Sequence, residues 1–252
     1  AVIVVNLASA EPEFALPQIS LKKLLSTKLC ISSTYAVGSI LAGCPYINFT
    51  SSVGSSWHVI DKLAQKKRVP HYGKDGKTGE TLVKTALAPM MNYRALKVLS
   101  WESHNILGNS DGYNLTIGGC GAEKLKDKKE VTERILKYPH NSNVRIDYVP
   151  SLNDWKIAWD FIQFEGILGT KMQLQFTWNG CDSVLAAPLV IDLVRLAEYS
   201  HRKGCAGAMK HLALFFKKPY KCNVYNLHQQ FEMLVSFLSK SAKRTQIKNV
   251  AK

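Results

Sequence analysis

A chain of 252 residues with 46% hydrophobic content has the bulk for one large or two modest domains, each with a core. It lacks the run of about 18 uninterrupted apolar residues that a membrane span needs, and its first residues do not form a basic stretch followed by an apolar one, so a cytoplasmic location is expected. The formal net charge of +14 calls for an anionic partner or a solvated basic surface, and basic residues near glycines and strand ends suit a phosphorylated metabolite as well as nucleic acid. Cys30, Cys44, Cys120, Cys181, Cys205 and Cys222 lie far apart, with no C-x-x-C pair and no H-E-x-x-H partner, which argues for reduced thiols and against a metal centre. Asn48-Phe49-Thr50 and Asn114-Leu115-Thr116 match the glycosylation pattern by coincidence.

Ala1–Asn6 reads as an apolar strand buried on both faces of a parallel sheet. It begins abruptly and without an initiator methionine, so a fragment or processed product is expected. Helical patterns follow around Leu21–Leu29 and Thr34–Leu41, then a strand at Tyr46–Phe49 and a helix capped by Ser56 that runs through Leu63. Short apolar strands alternating with helices predict an α/β sheet with ligands at the carboxyl ends of its strands, where Asn6, Asn48 and Thr50 fall.

The next stretch, Gly73-Lys74-Asp75-Gly76-Lys77-Thr78-Gly79-Glu80-Thr81, joins the strand Val69–Tyr72 to a helix marked by Leu82, Ala86, Leu87 and Met90. A glycine-rich strand-to-helix turn can aim backbone N–H groups, with Lys74 and Lys77, at anionic oxygens. It can equally be a turn that needs glycine for its dihedrals. A P-loop is disfavoured because His71 stands where its first glycine would be.

Beyond the helix the pattern changes. Lys97–Ser100 reads as a strand, Asn105–Gly112 as a loop before a strand at Tyr113–Ile117, and Gly118–Gly121 as a loop rather than a dinucleotide fingerprint, since Lys124 replaces the third glycine. Lys124 and Lys128 share a face of the following helix, which by spacing alone is a solvated charged face. After a strand at Val144–Val149, Asn153 or Asp154 can cap a helix containing Lys156, Ala158, Trp159 and Ile162. Lys171–Trp178 alternates strictly, as a strand of an open antiparallel sheet does, so the middle of the chain is a different domain type from its start. Asp182-Ser183 caps a helix through Leu196 that is too apolar to face water. His211–Phe216 ends at Lys217-Lys218-Pro219, and Leu227–Leu238 is a last amphipathic helix before a frayed basic tail.

Four ordered blocks carry a resemblance: residues 73–81, Ser-His-Asn-Ile-Leu-Gly-Asn-Ser-Asp-Gly-Tyr-Asn-Leu at 103–115, Asn-Asp-Trp-Lys-Ile-Ala-Trp-Asp at 153–160 and Gly-Cys-Asp-Ser-Val-Leu-Ala-Ala-Pro-Leu at 180–189. Together they resemble the inositol-3-phosphate synthase family, most of all its shorter, prokaryotic-type members, over nearly all of the chain. The resemblance implies an α/β fold in which a Rossmann-like NAD-binding domain, incomplete at its N-terminus, is interrupted by an inserted α+β catalytic and tetramerisation domain. Residues 1–81 and 186–252 would belong to the first and 82–185 to the insertion. The first strand and phosphate-binding glycine turn of such a domain are missing from the sequence, so residues 1–252 alone are expected to bind NAD weakly and not to turn over.

The reaction implied is the NAD-dependent conversion of glucose 6-phosphate to inositol 3-phosphate by oxidation, enolisation, aldol closure and reduction. Its phosphate, oxyanion and enolate intermediates need several cationic donors in a closed space. The resemblance assigns Lys124 to proton transfer or oxyanion stabilisation, Lys128 to phosphate, and Lys156 and Lys217 to charge stabilisation during cyclisation, with Asp154 orienting them. The cofactor side would draw on Ser9, Asn48, Asp75, Thr78, Asn105, Asn109, Asp111, Asp182 and Ser183. No metal ligand set is evident; whether a divalent or monovalent cation assists is open, and a homotetramer is implied. A nucleic-acid-binding module is the rival reading of the charge, but Phe161, Phe164, Phe176 and Trp178 fall on apolar faces rather than on an exposed stacking platform, so neither nucleic acid nor membrane is the expected partner.

Overall fold

The computed structural model describes residues 1–12, 14–15, 18–116 and 131–250, with side chains through residue 240. Two four-stranded sheets organise it. The first is wholly parallel, in the order β1 (Val4–Asn6), β2 (Tyr46–Asn48), β3 (Pro70–Gly73) and β8 (Gly207–Ala208). β2 and β3 are buried at every position, the polar Asn48 and His71 included, because both faces are covered. Tyr46 packs with α1 (Ile31–Leu41) and α2 (His58–Lys67), while its neighbour Ile47 joins Tyr72 in a second core with Leu193 and Ala197 of α5 (Asp182–Arg202) and with Leu212 and Phe216.

The second sheet runs β5 (Asn141–Tyr148), β4 (Lys97–Leu107), β6 (Trp155–Glu165) and β7 (Lys171–Cys181). β4 pairs with β5 in parallel, and β6 runs antiparallel to both β4 and β7. One face is buried: Val98, Trp101 and Ile162 pack on Ala88 and Met91 of α3 (Glu80–Tyr93) and on Val131 and Ile135. Along β7 the expected alternation holds from Leu174 onward, with Leu174, Phe176 and Trp178 half-buried and Gln173, Gln175 and Thr177 exposed.

Several expectations fail for identifiable reasons. The helix expected from an Asn153 or Asp154 cap is the strand β6. Ala158, Trp159 and Ile162 satisfy a helical spacing, but Lys156, Ala158, Asp160 and Ile162 are the buried set, and two neighbouring strands supply the backbone partners. Tyr113 and its neighbours form a short helix, α4 (Ser110–Thr116), started by Asn109, whose Oδ1 accepts the Gly112 N–H at 3.0 Å. Asn105 lies within β4 rather than in a loop. Leu21–Leu29 holds only a 3-10 turn at Leu24–Ser26, because the Ser26 and Thr27 hydroxyls both donate to Lys23 O, offering the backbone an alternative to a helix.

Ser56 caps nothing, since α2 starts after Trp57. Nor does Asp182 cap α5: it stands in the first turn, and its carboxylate turns toward other elements. α5 is also not fully withdrawn from water, for Val184 and Ile191 remain 68% and 61% exposed. Rather than fraying after Leu238, the last helix, α6 (Leu227–Val250), continues into the basic tail; Lys252 lies outside the described residues.

Candidate active site

The glycine turn after β3 is fastened on both sides. Asp75 and Gly76 donate their backbone N–H groups to Thr50 O and Phe49 O, each at 2.9 Å, and Lys77 donates to Phe215 O at 2.9 Å. Lys74 N donates to Lys218 O, and Lys217 N donates to Asp75 O at 2.7 Å. These donors are therefore committed to neighbouring carbonyls and do not cradle an anion. Gly76 is required by contact: a Cβ there would stand 2.2 Å from the Phe49 ring. Asp75 takes a left-handed φ of 63°, a conformation that aspartate tolerates better than most residues.

What the turn does present is side chains. Lys217, on the segment laid beside the turn, meets Asp75 Oδ1 at 2.9 Å. Thr78 Oγ1 donates to Asp182 Oδ1 at 3.0 Å, and Lys156 Nζ reaches Asp182 Oδ2 at 3.3 Å. The parallel sheet, the second sheet and the start of α5 thus converge on one lysine–carboxylate cluster. Burial works against the charged form of Lys217, but Asp75, with Asp182 and Asp111 behind it, outweighs this and holds its pKa above the ordinary lysine value. Burial likewise raises Asp182, and Lys156 and Lys217 overcome it, leaving the carboxyl below its ordinary range. The cluster therefore keeps fixed positive charge in a place where water is scarce.

Beneath it lies a second buried set that the sequence did not point to. Lys84 Nζ meets Glu80 Oε1 at 2.7 Å, Asp160 Oδ1 at 3.3 Å and Ser103 Oγ at 2.6 Å, and Asp160 Oδ1 also accepts Trp101 Nε1 at 2.8 Å. Two signals were available. Glu80 and Lys84 are four apart on a helix, and Asp160 shares the period-two face of Lys156. This set bolts the first turn of α3 to the sheet that carries Lys156 and the fully buried Asn105.

The remaining candidates are placed elsewhere. Asn48 is consumed by Asn6 and by Ser52 O. Asn109 and Asp154 line a separate cleft of about 610 Å3 with Tyr113, Tyr148 and Trp155. Asp111 is half-buried and lies near enough to act on Lys217. Ser9 and Ser183 are exposed, the latter beside Cys181 at 3.0 Å. Lys124 and Lys128 lie outside the described residues. Among the described residues no group of three His, Cys, Asp or Glu side chains could hold a metal ion, and no helix is long and apolar enough to cross a membrane.

The fold and cluster define a mixed α/β protein with a Rossmann-like parallel sheet, whose lysine–carboxylate cluster joins that sheet to a second, mixed sheet. The profile of the family described as Myo-inositol-1-phosphate synthase matches residues 79–183. Inositol-3-phosphate synthase 1 of Bacteroides thetaiotaomicron is 35% identical over 205 residues, which is 78% of this chain and 47% of the relative. Inositol-3-phosphate synthase of Trypanosoma brucei brucei is 36% identical over 187 residues, 68% of this chain and 34% of the relative. The crystal structure of inositol-3-phosphate synthase from Caenorhabditis elegans superposes with a TM-score of 0.88 at 26% identity, covering 95% of this chain and 53% of that one. These matches relate the chain to the inositol-3-phosphate synthase family. The chain spans about half the length of the relatives it matches, or less.

Proposed function

We propose that this chain forms the substrate-handling part of an enzyme that converts D-glucose 6-phosphate to 1D-myo-inositol 3-phosphate with NAD. The observation that carries the reading is the convergence of Lys217–Asp75 and Lys156–Asp182–Thr78 from distant parts of the chain. A cation fixed by flanking carboxylates is suited to meet an oxyanion or enolate as it develops, without reorganisation at the moment of reaction. Lys217, kept charged by its neighbours, serves as such a cation rather than as a proton acceptor. Lys156 neutralises charge on the opposite side, and Asp75 and Asp182 orient the two amines. Lys124 and Lys128 would supply the proton-transfer and phosphate-holding groups.

The residues present fit the nicotinamide end of a dinucleotide. Thr81 Oγ1 and Trp178 Nε1 are buried polar atoms without a hydrogen-bond partner, both next to Gly79, where a Cβ would stand 2.6 Å from that indole nitrogen. With Thr78 and Asp182 they form a polar wall that could hold a carboxamide. When bound, NAD would accept the hydride in the oxidation and return it in the reduction. A cytoplasmic homotetramer completes the proposal, supported by Trp155 and Trp159, which stand 55% and 40% exposed on the outer face of β6. Light scattering of the full-length protein tests the assembly.

The functional test is mass-spectrometric detection of inositol phosphate from glucose 6-phosphate and NAD by the full-length protein. Lys217→Met is expected to lower turnover at least about a hundredfold, the scale of a lost oxyanion-stabilising group. Full-length protein that folds yet forms no inositol phosphate, or Lys217→Met that keeps near-normal turnover, would overturn the reading.

A further inference from the structure

Between α3, α5 and α6 lies an open groove of about 880 Å3, within the range of about 300–1,000 Å3 of small-molecule sites. Its walls are apolar, built from Leu82, Pro89, Leu185, Leu189, Leu214 and Phe231. Lys77 also lines it and is buried, only 3% exposed. Its Nζ donates to Gln230 Oε1 at 2.7 Å, and Gln230, itself fully buried, donates Nε2 to Val224 O, so the neutral amide is locked toward the lysine. No Asp or Glu is among the lining residues, whereas Arg94 is, so the charge that the groove offers is positive.

We propose that this groove is a second ligand site, separate from the lysine–carboxylate cluster, and that it takes an amphipathic carboxylate whose chain lies along the apolar walls and whose head meets Lys77. The chain turns at Lys77 and Thr78 so that the two side chains serve different neighbours: Thr78 bonds Asp182 in the cluster, and Lys77 faces α6. A buried amine bonded to a neutral amide, with the Cys222 thiol as the titratable group that acts on it, lacks the carboxylate counter-charge that burial normally demands, and an incoming anion supplies it. Burial pushes the Lys77 amine down to about 7. A carboxylate entering above that pH must therefore draw a proton onto the amine, which an uncharged ligand of the same length does not do.

The test is titration calorimetry of the 252-residue chain with octanoate and with octanol at about pH 8, in buffers of different ionisation enthalpy. Octanoate is expected to bind at least about tenfold more tightly than octanol, the scale of one charge-assisted hydrogen bond, and with proton uptake. Lys77→Met should remove that advantage and the uptake together. Ala86→Trp, a substitution at an exposed position on the groove wall, should weaken both ligands while leaving Lys77 in place. Should Lys77→Met fail to fold, proton uptake by the unsubstituted chain and the Ala86→Trp result decide. The proposal is overturned by equal affinity for octanol and octanoate, by octanoate binding without proton uptake, by no binding, or by either variant binding octanoate as the unsubstituted chain does. Sedimentation as a dimer that Ala86→Trp dissociates would assign the groove to a second copy of the chain and overturn it as well.

Discussion

Lys84→Met is the most informative single perturbation of the site's foundation. The side chains of Lys84, Glu80 and Asp160 are 2%, 1% and 0% exposed, so methionine keeps the volume but leaves two buried carboxyl groups without this cation. Breaking a buried ion pair from one side is destabilising by about 3–5 kcal/mol. With a urea slope of about 2–3 kcal/mol/M, the unfolding midpoint should fall by about 1–2.5 M. The loss should also depend on pH. Burial, joined by the charge of Glu80, raises the Asp160 carboxyl against the opposing pull of Lys84, and removing Lys84 raises it further. An acid with a raised folded pKa binds more protons folded than unfolded, so stability drops as pH climbs from about 4 toward that folded value. The difference between variant and parent should therefore be larger at about pH 8 than at about pH 5. Urea titration followed by tryptophan fluorescence reads this directly, since Trp101 donates to Asp160. A loss below about 1 kcal/mol, or the same loss at both pH values, would refute the argument that this set is an uncompensated charge cluster once its lysine is gone.

Asp61 accepts from His71 at 2.9 Å, Lys221 at 2.5 Å and the Ala208 N–H at 3.0 Å; burial raises its carboxyl, but the His71 and Lys221 hydrogen bonds outweigh this and hold it well below the ordinary range. Its stabilisation is present above the unfolded value near about 4 and is lost as pH falls through the depressed folded value, so Asp61→Asn should lose about 3 kcal/mol at neutral pH, and acid denaturation curves of variant and parent should converge. Among the free thiols, the Ser183 hydroxyl and the backbone N–H of Val184 lower Cys181, while burial raises Cys205. Iodoacetamide followed by peptide mapping should therefore label Cys181 before Cys205, and faster labelling of Cys205 would contradict the assignment.

Local pattern revealed what local forces decide. The doubly covered strand at Tyr46–Asn48 and the half-covered strand at Leu174–Trp178 differ in apolar period because their sheets are covered on two faces and on one. β6 was misread because Ala158, Trp159 and Ile162 fit both periods, and only pairing with β4 and β7 breaks the tie. The cluster was accessible only through the resemblance, since Thr78 and Asp182 are 104 residues apart and Lys217 and Asp75 are 142 apart. Lys84 and the burial of Lys77 escaped notice because a lysine is seldom fully buried, and nothing in the spacing said that Gln230 or Asp160 would be waiting.

The span between Asp75 and Lys217 also bears on how the molecule is born. Chain-closure entropy for 142 residues is about 4 kcal/mol against about 3 kcal/mol for the 26 residues between Lys156 and Asp182, so the nearer pair can form early, with the β6–β7 hairpin. On a ribosome adding about 5–20 residues per second, Lys217 follows Asp75 by about 7–30 s. Through that interval the nascent chain holds its glycine turn by Phe49 and Thr50 alone, without the later segment that fastens its other side. The turn acquires Lys217, and with it the electrostatic partner of Asp75, only after the intervening residues have been made. A ribosome stalling between residues 182 and 217 would thus release a product with an assembled β5-β4-β6-β7 sheet and an Asp75 still without its lysine.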